Sequence, residues 1–186
     1  MTVPLALDLG LLPVVLAGAG TALVKRLTLL DSEGVPNLKI FSVEAIPAAG
    51  DRLIPRLPTE ADIAACRVLF VAGLPPRQSA ELAAVARRHR VLVNVEDTLA
   101  LCDFHVPAIL RRGDLALSIS TGGSSPTLSR RLRAYLGDLL LPEWGERIKR
   151  IAALRTDMRA KGAGMAEVTR ATDRLIDDEG WLPPIR

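Results

Sequence analysis

Aromatic side chains are scarce: three Phe, two Trp and one Tyr make up 3% of the 186 residues. Proteins that grip single-stranded nucleic acid stack bases on such rings along a concentrated basic groove. Here 24 basic residues face 21 acidic ones, a formal net charge of only +3. No nucleic-acid partner is therefore expected, and a small acidic substrate suits the balance better. Cysteine and histidine are equally sparse. Cys66, Cys102, His89 and His105 show no C-x-x-C or Cys/His ligand spacing, so no resident metal is expected. Long apolar runs are missing too. The apolar N-terminal stretch is broken by Asp8, Gly10, Pro13, Gly18 and Gly20, short of the roughly 20 residues that span a bilayer. It also lacks the basic n-region of a signal peptide. No membrane partner is expected, and the expected location is cytoplasmic.

What is present is an alternation of short apolar runs with helical patterns. Pro13–Ala17, Leu38–Ser42, Val68–Ala72 and Val91–Val95 are β-branched and almost uncharged, the pattern of parallel strands buried on both faces. Between the first two, Leu23, Leu27 and Leu30 share one face of a helix ending at Gly34. Gln78–His89 reads as an amphipathic helix, and Arg52–Leu57, flanked and interrupted by prolines, as a short edge strand. Strand, glycine turn, helix and strand within about 30 residues form a βαβ unit. The fold class expected is α/β, a Rossmann-like doubly wound parallel sheet.

The pattern changes near residue 100. Phe104–Leu110 and Leu115–Ser120 read as strands joined by a turn at Arg111–Asp114. From Pro126 onward the chain reads as helical, with breaks at Pro142 and at Gly162-Ala163-Gly164. Three segments are expected: a nucleotide-binding domain over 1–97, a strand-pair and helix segment over 98–141, and a helical tail over 142–186.

Three stretches carry candidate chemistry. Gly18-Ala19-Gly20 stands where a dinucleotide fold places its phosphate turn, ahead of a helix N-terminus with free N–H groups. This assigns cofactor contacts to Gly18, Ala19, Gly20 and Thr21, and to Ser42 and Val43 at the second strand's end. The third fingerprint position holds Leu23 instead of a small residue, and Glu44, a ribose-binding candidate, lies two residues past the expected strand end. A tight turn that binds nothing is the competing reading. Asn94-Val95-Glu96-Asp97 closes the last buried strand, where open sheets bind ligands. A partly buried carboxylate there suits proton abstraction; a solvated or capping turn is the alternative. Finally, Ser120-Thr121-Gly122-Gly123-Ser124-Ser125-Pro126 combines hydroxyls, permissive glycines and a helix start with Ser124 or Ser125 as cap. From Arg111 to Arg133, five arginines (Arg111, Arg112, Arg130, Arg131 and Arg133) face only Asp114. Such a cluster suits a polycarboxylate; a solvated basic face is the plainer reading.

In order and spacing over residues 11–140, these motifs resemble the N-terminal module of siroheme synthases and the stand-alone precorrin-2 dehydrogenases. The resemblance rests on Gly18–Gly20, Asn94–Asp97, Cys102-Asp103-Phe104-His105-Val106-Pro107-Ala108, Arg112-Gly113-Asp114-Leu115 and Ser120–Pro126. It implies oxidation of precorrin-2 to sirohydrochlorin with NAD as hydride acceptor, and in some members insertion of ferrous iron to give siroheme. It implies Asp97 as catalytic general base, with tetrapyrrole contacts from Asn94, Thr121, Gly122, Gly123, Ser124 and Arg130. It further implies a homodimer exchanging the middle segment. Two positions depart from the family pattern: Leu23, and Gly73-Leu74-Pro75-Pro76 where a polar turn usually borders the cofactor. No methyltransferase domain is expected beyond Arg186. A nucleotide-sensing regulatory Rossmann module and a catalytically lapsed tetrapyrrole carrier remain open.

Overall fold

The computed structural model describes residues 3–183, so residues 1–2 of the expected first domain and 184–186 of the expected tail lie outside the described residues. The chain divides into two compact units between Val106 and Pro107.

The first unit is built on five parallel strands, β1 (Val14–Gly18), β2 (Leu38–Phe41), β3 (Leu53–Ile54), β4 (Val68–Ala72) and β5 (Leu92–Val95). They lie in the order β3-β2-β1-β4-β5. Successive strand residues point to opposite faces, so each apolar run feeds two cores. Val14, Leu16, Val68 and Phe70 pack under Leu23, Leu27 and Leu30 of α1 (Gly20–Ser32). Val15, Ala17, Leu69 and Val71 pack on the other face with Leu82, Ala83 and Ala86 of α3 (Pro76–Arg88). Helices on both faces of a parallel sheet make this the doubly wound α/β arrangement expected.

Two details differ from expectation. The edge strand β3 is two residues long instead of spanning Arg52–Leu57. Arg52 belongs to a 3-10 turn over Pro47–Arg52, and Pro55 cannot donate to the ladder. A five-residue helix, α2 (Glu60–Ala64), had no expectation at all. Thr59 and Asp62 form a reciprocal capping box at its start, and Ile63 alone is buried. Arg56 and Thr59 hold the Asp62 carboxyl below its usual range. That stabilisation is present above the unfolded pKa and is lost as pH falls through the folded one.

The order in which strands are added reverses between β1 and β4, and there the backbones nearly touch. The Ala19 N–H donates to the Ala72 carbonyl at 3.0 Å. A side chain at Gly18 would overlap that carbonyl, and one at Gly73 (φ +72°) would overlap the carbonyl of Ala19. Leu23, the unexpected third fingerprint residue, is fully buried beneath this corner. The first unit runs on past residue 97. Asp103 exchanges hydrogen bonds with Val93 on the open edge of β5, and Phe104 meets Phe70 edge-on at 5.5 Å. Phe104 and Val106 thus pack against the sheet's core, and the strand expected over Phe104–Leu110 begins only at Ala108.

In the second unit β6 (Ala108–Arg112) pairs antiparallel with β7 (Leu115–Ile119). The expected four-residue turn is a two-residue one at Gly113-Asp114, with Gly113 at φ +58°. Helices α4 (Pro126–Leu139), α5 (Trp144–Ala160) and α6 (Met165–Asp178) follow, separated at the two breaks foreseen. The Arg147 guanidinium lies over both indoles of an edge-on pair, Trp144 and Trp181, and clasps the end of α6 onto α5. Among the described residues no helix is long and apolar enough to cross a membrane.

Gly73→Ala combines a left-handed backbone with a steric overlap. It should lower stability by about 2 kcal/mol or more, measurable as a fall in the urea midpoint.

Candidate functional site

Helix α1 begins at the switch point without help from its own cap. Ala19, its N-cap, has no side-chain oxygen, and the first turn carries no acidic residue. Gly20 sits at φ +60°, and a Cβ there would meet nothing within 4 Å. The helix end is therefore open, and its N–H groups and dipole favour an anion. These features fit the pyrophosphate of a dinucleotide.

One carboxylate of this chain already reaches the turn. The Gly20 N–H donates to Glu44 Oε2 at 2.8 Å. Ser42 is fully buried, and its hydroxyl accepts the N–H of Glu44 at 3.1 Å. Of the residues assigned to the cofactor from sequence, Ser42 thus shapes the Glu44 loop from beneath. Gly20, Thr21 and Val43 are exposed. Glu44 reaches the turn although it lies past the strand end, because the chain curls back after β2.

At the end of β5 the chain turns sharply. The Glu96 N–H bonds the Val71 carbonyl at 2.9 Å, and Asp97 follows in the left-handed region at φ +58°. For a non-glycine residue that conformation costs about 1 kcal/mol and persists only where its surroundings impose it. Cys102 is the constraint. Its sulfur accepts the Val95 N–H at 3.2 Å and lies 3.1 Å from the Val95 carbonyl and 3.4 Å from that of Thr98. The Asn94 side chain donates to the Phe104 carbonyl at 3.0 Å and approaches Cys102 Sγ at 3.6 Å. Asn94 is 6% exposed, and its Oδ1 has no protein donor. Asp97 itself is exposed, so the partial burial expected for it is not found. Its side chain is open to solvent just past the carboxyl end of β5.

Sequence reasoning passed over Arg26. It is half-buried on α1 with its guanidinium 5.4 Å from the Phe70 ring centroid. Burial pulls its pKa below the ordinary value, opposed by Glu96, Cys102 and Asp97. A charged residue at an interior helix position was its one sequence signal.

The second unit holds the hydroxyl-rich loop. Thr121 is half-buried. Its Oγ1 accepts the Ser125 N–H at 3.0 Å and lies 3.1 Å from the Ser125 carbonyl and 3.3 Å from Ser129 Oγ. Gly122 and Gly123 take φ +61° and +85°. Ser125 caps α4 by accepting the Leu128 N–H, while Ser124 and Arg130 are exposed. The five-arginine cluster does not form. The hairpin reverses the chain and α4 runs back along it, which carries Arg112 to the far end of that helix. There it donates to the carbonyls of Leu140 at 2.6 Å and Gly137 at 3.0 Å. Arg130, Arg131 and Arg133 stay on the exposed first turns of α4. Among the described residues no group of three or more His, Cys, Asp or Glu side chains is placed to hold a metal.

Comparison with known proteins agrees with this geometry. The NAD(P)-binding family model matches residues 5–108, and the model of the sirohaem biosynthesis protein central segment matches residues 112–138. Siroheme synthase of Methylococcus capsulatus (strain Bath) is 35% identical over 162 residues, 84% of this chain and 34% of that protein. Siroheme synthase of Pseudomonas fluorescens (strain SBW25) is 31% identical over 156 residues, 81% and 33% respectively. The chain spans about a third of the length of these curated relatives. Among solved structures, SirC, a precorrin-2 dehydrogenase, superposes with a TM-score of 0.73 at 21% identity, covering 96% of this chain and 91% of that one. The likeness establishes the shared fold.

Removing the sulfur that pins the Asp97 turn should loosen it selectively. Cys102→Ala should cost about 1–2 kcal/mol and speed amide hydrogen exchange at Val95, with Val15 and Leu69 in the central strands unchanged.

Proposed function

This chain belongs to the NAD(P)-binding family and carries the sirohaem-biosynthesis central segment, and from that premise we propose that it oxidises precorrin-2 to sirohydrochlorin with NAD. One observation carries this reading. A single unit offers a glycine-turned helix end without a side-chain cap of its own at the switch point and, beyond the neighbouring strand, a carboxylate on a strained turn. The reaction removes two hydrogens from the macrocycle, one with its electron pair and one as a proton. Bound NAD supplies the hydride acceptor. The exposed Asp97 carboxylate takes the proton. Gly18, Ala19, Gly20 and Thr21 hold the pyrophosphate, with Ser42 and Val43 shaping the loop beside it. Asn94, Thr121, Gly122, Gly123, Ser124 and Arg130 contact the tetrapyrrole, whose carboxylates suit amides, hydroxyls and a guanidinium. Glu44, hydrogen-bonded to the Gly20 N–H, favours NAD over NADP, because a 2′-phosphate near its carboxylate meets like charge. Two free cysteines suit the reducing cytoplasm.

The active form in this reading is a homodimer. Leu128, Leu132, Tyr135 and Leu139 are all exposed and recur along one face of α4, an apolar stripe of the kind helices bury. Leu132→Glu should place a charge in that stripe and shift the protein from dimer to monomer in light scattering.

Anaerobic incubation with precorrin-2 and NAD should develop the absorption of sirohydrochlorin, faster than with NADP. Asp97→Ala should slow it by at least about 100-fold. Binding of nucleotide without any tetrapyrrole would instead identify a nucleotide sensor. Binding of sirohydrochlorin without oxidation of precorrin-2 would identify a carrier. Adding Fe²⁺ to sirohydrochlorin tests chelation, in which iron is a substrate.

A further inference from the structure

Among the described residues Arg26 has no hydrogen-bonding or ion-pairing partner. Elsewhere in the first unit Arg52 holds Asp31, Arg56 holds Asp62, Arg77 holds Glu81, Arg87 holds Asp103 and Arg88 holds Glu60. Arg26 makes no hydrogen bond or ion pair with any described residue; its contact is the face of Phe70. A half-buried guanidinium has lost part of its hydration and keeps five N–H donors in a planar fork. Stacking on a ring orients that fork without using it. The same corner carries Phe104 against Phe70 and the buried, donorless Oδ1 of Asn94, whose amide group holds the Phe104 carbonyl. Through Phe70, Arg26 stands on the α1 face of the sheet, where burial lowers its pKa against the opposing charges of Glu96 and Asp97. Arg26 lies in the second turn of α1, six residues beyond Gly20, or about 9 Å along the helix axis. Its Cα thus lies more than a full turn beyond the phosphate turn.

We propose that Arg26 is a carboxylate anchor of the Asp97 site, pairing through its two-pronged fork with an acidic side chain of the tetrapyrrole. This rests on the functional reading above and adds a contact that none of the sequence motifs suggested. A planar carboxylate matches the fork in two parallel hydrogen bonds. The pair forms on substrate binding, so its loss should appear in affinity before it appears in turnover.

The test titrates the full chain with sirohydrochlorin and, separately, with NAD, for wild type, Arg26→Met and Arg26→Lys, alongside thermal melting. Arg26→Met should weaken sirohydrochlorin binding by about tenfold or more and leave NAD binding unchanged. Arg26→Lys keeps the charge but loses the fork, so it should fall between the two at a wild-type melting temperature. Sirohydrochlorin affinity of either variant equal to wild type would overturn the proposal. So would a loss confined to NAD, which would assign Arg26 to the cofactor phosphates. If Arg26→Met does not fold, the intermediate affinity of Arg26→Lys decides. A wild-type protein that binds no tetrapyrrole would remove the functional reading and this anchor together. Wild-type binding that neither variant disturbs would remove the anchor alone.

Discussion

The close approach of two strand ends governs the first unit. β1 and β4 run side by side in continuous register up to Gly18 and Ala72, and the chain then leaves toward opposite faces of the sheet. The two departing backbones pass in contact, joined by the hydrogen bond from Ala19 to Ala72. Only glycine fits at positions 18 and 73. The direction of α1, the openness of its first turn and the position of Gly20 beneath Glu44 all follow from that contact. Read this way, Gly73 is less a departure from a polar turn than the second half of the glycine corner.

Much of the sheet was legible because parallel strands buried on both faces must be apolar without interruption. Val68–Ala72 is read from sequence with the same bounds that the structure gives it. The tail breaks at Pro142 and Gly162–Gly164 were legible for a related reason, since proline and glycine act locally. Features decided by a few long-range hydrogen bonds were not. α2 is too short to show a helical period and depends on the Thr59–Asp62 box. Phe104–Leu110 reads from sequence as a strand, yet Asp103 and Phe104 are recruited by β5 and Phe70.

The candidate site divides along the same line. The glycine turn and the Asn94–Asp97 strand end could be placed on the fold because each sits at a strand terminus. The role of Cys102 could not, because its partners lie 4–8 residues back along a turn whose shape no local pattern records. Charge was misread in both directions. Five arginines close in sequence are separated once the β6–β7 hairpin reverses the chain, and Arg112 is spent on the last carbonyls of α4. Arg26, one charge among many in the sequence, stands out only through the ring beneath it and the lack of an ion-pair partner among the described residues.

Glu44 gives the phosphate turn a resident competitor. In the proposed reading, a dinucleotide phosphate that takes the Gly20 N–H displaces a carboxylate already on it, so entry is an exchange of one negative charge for another. Only the difference between the two interactions counts toward affinity, and it is smaller than either alone. The Glu44 carboxylate thus sets the reference against which any anion at this turn is weighed.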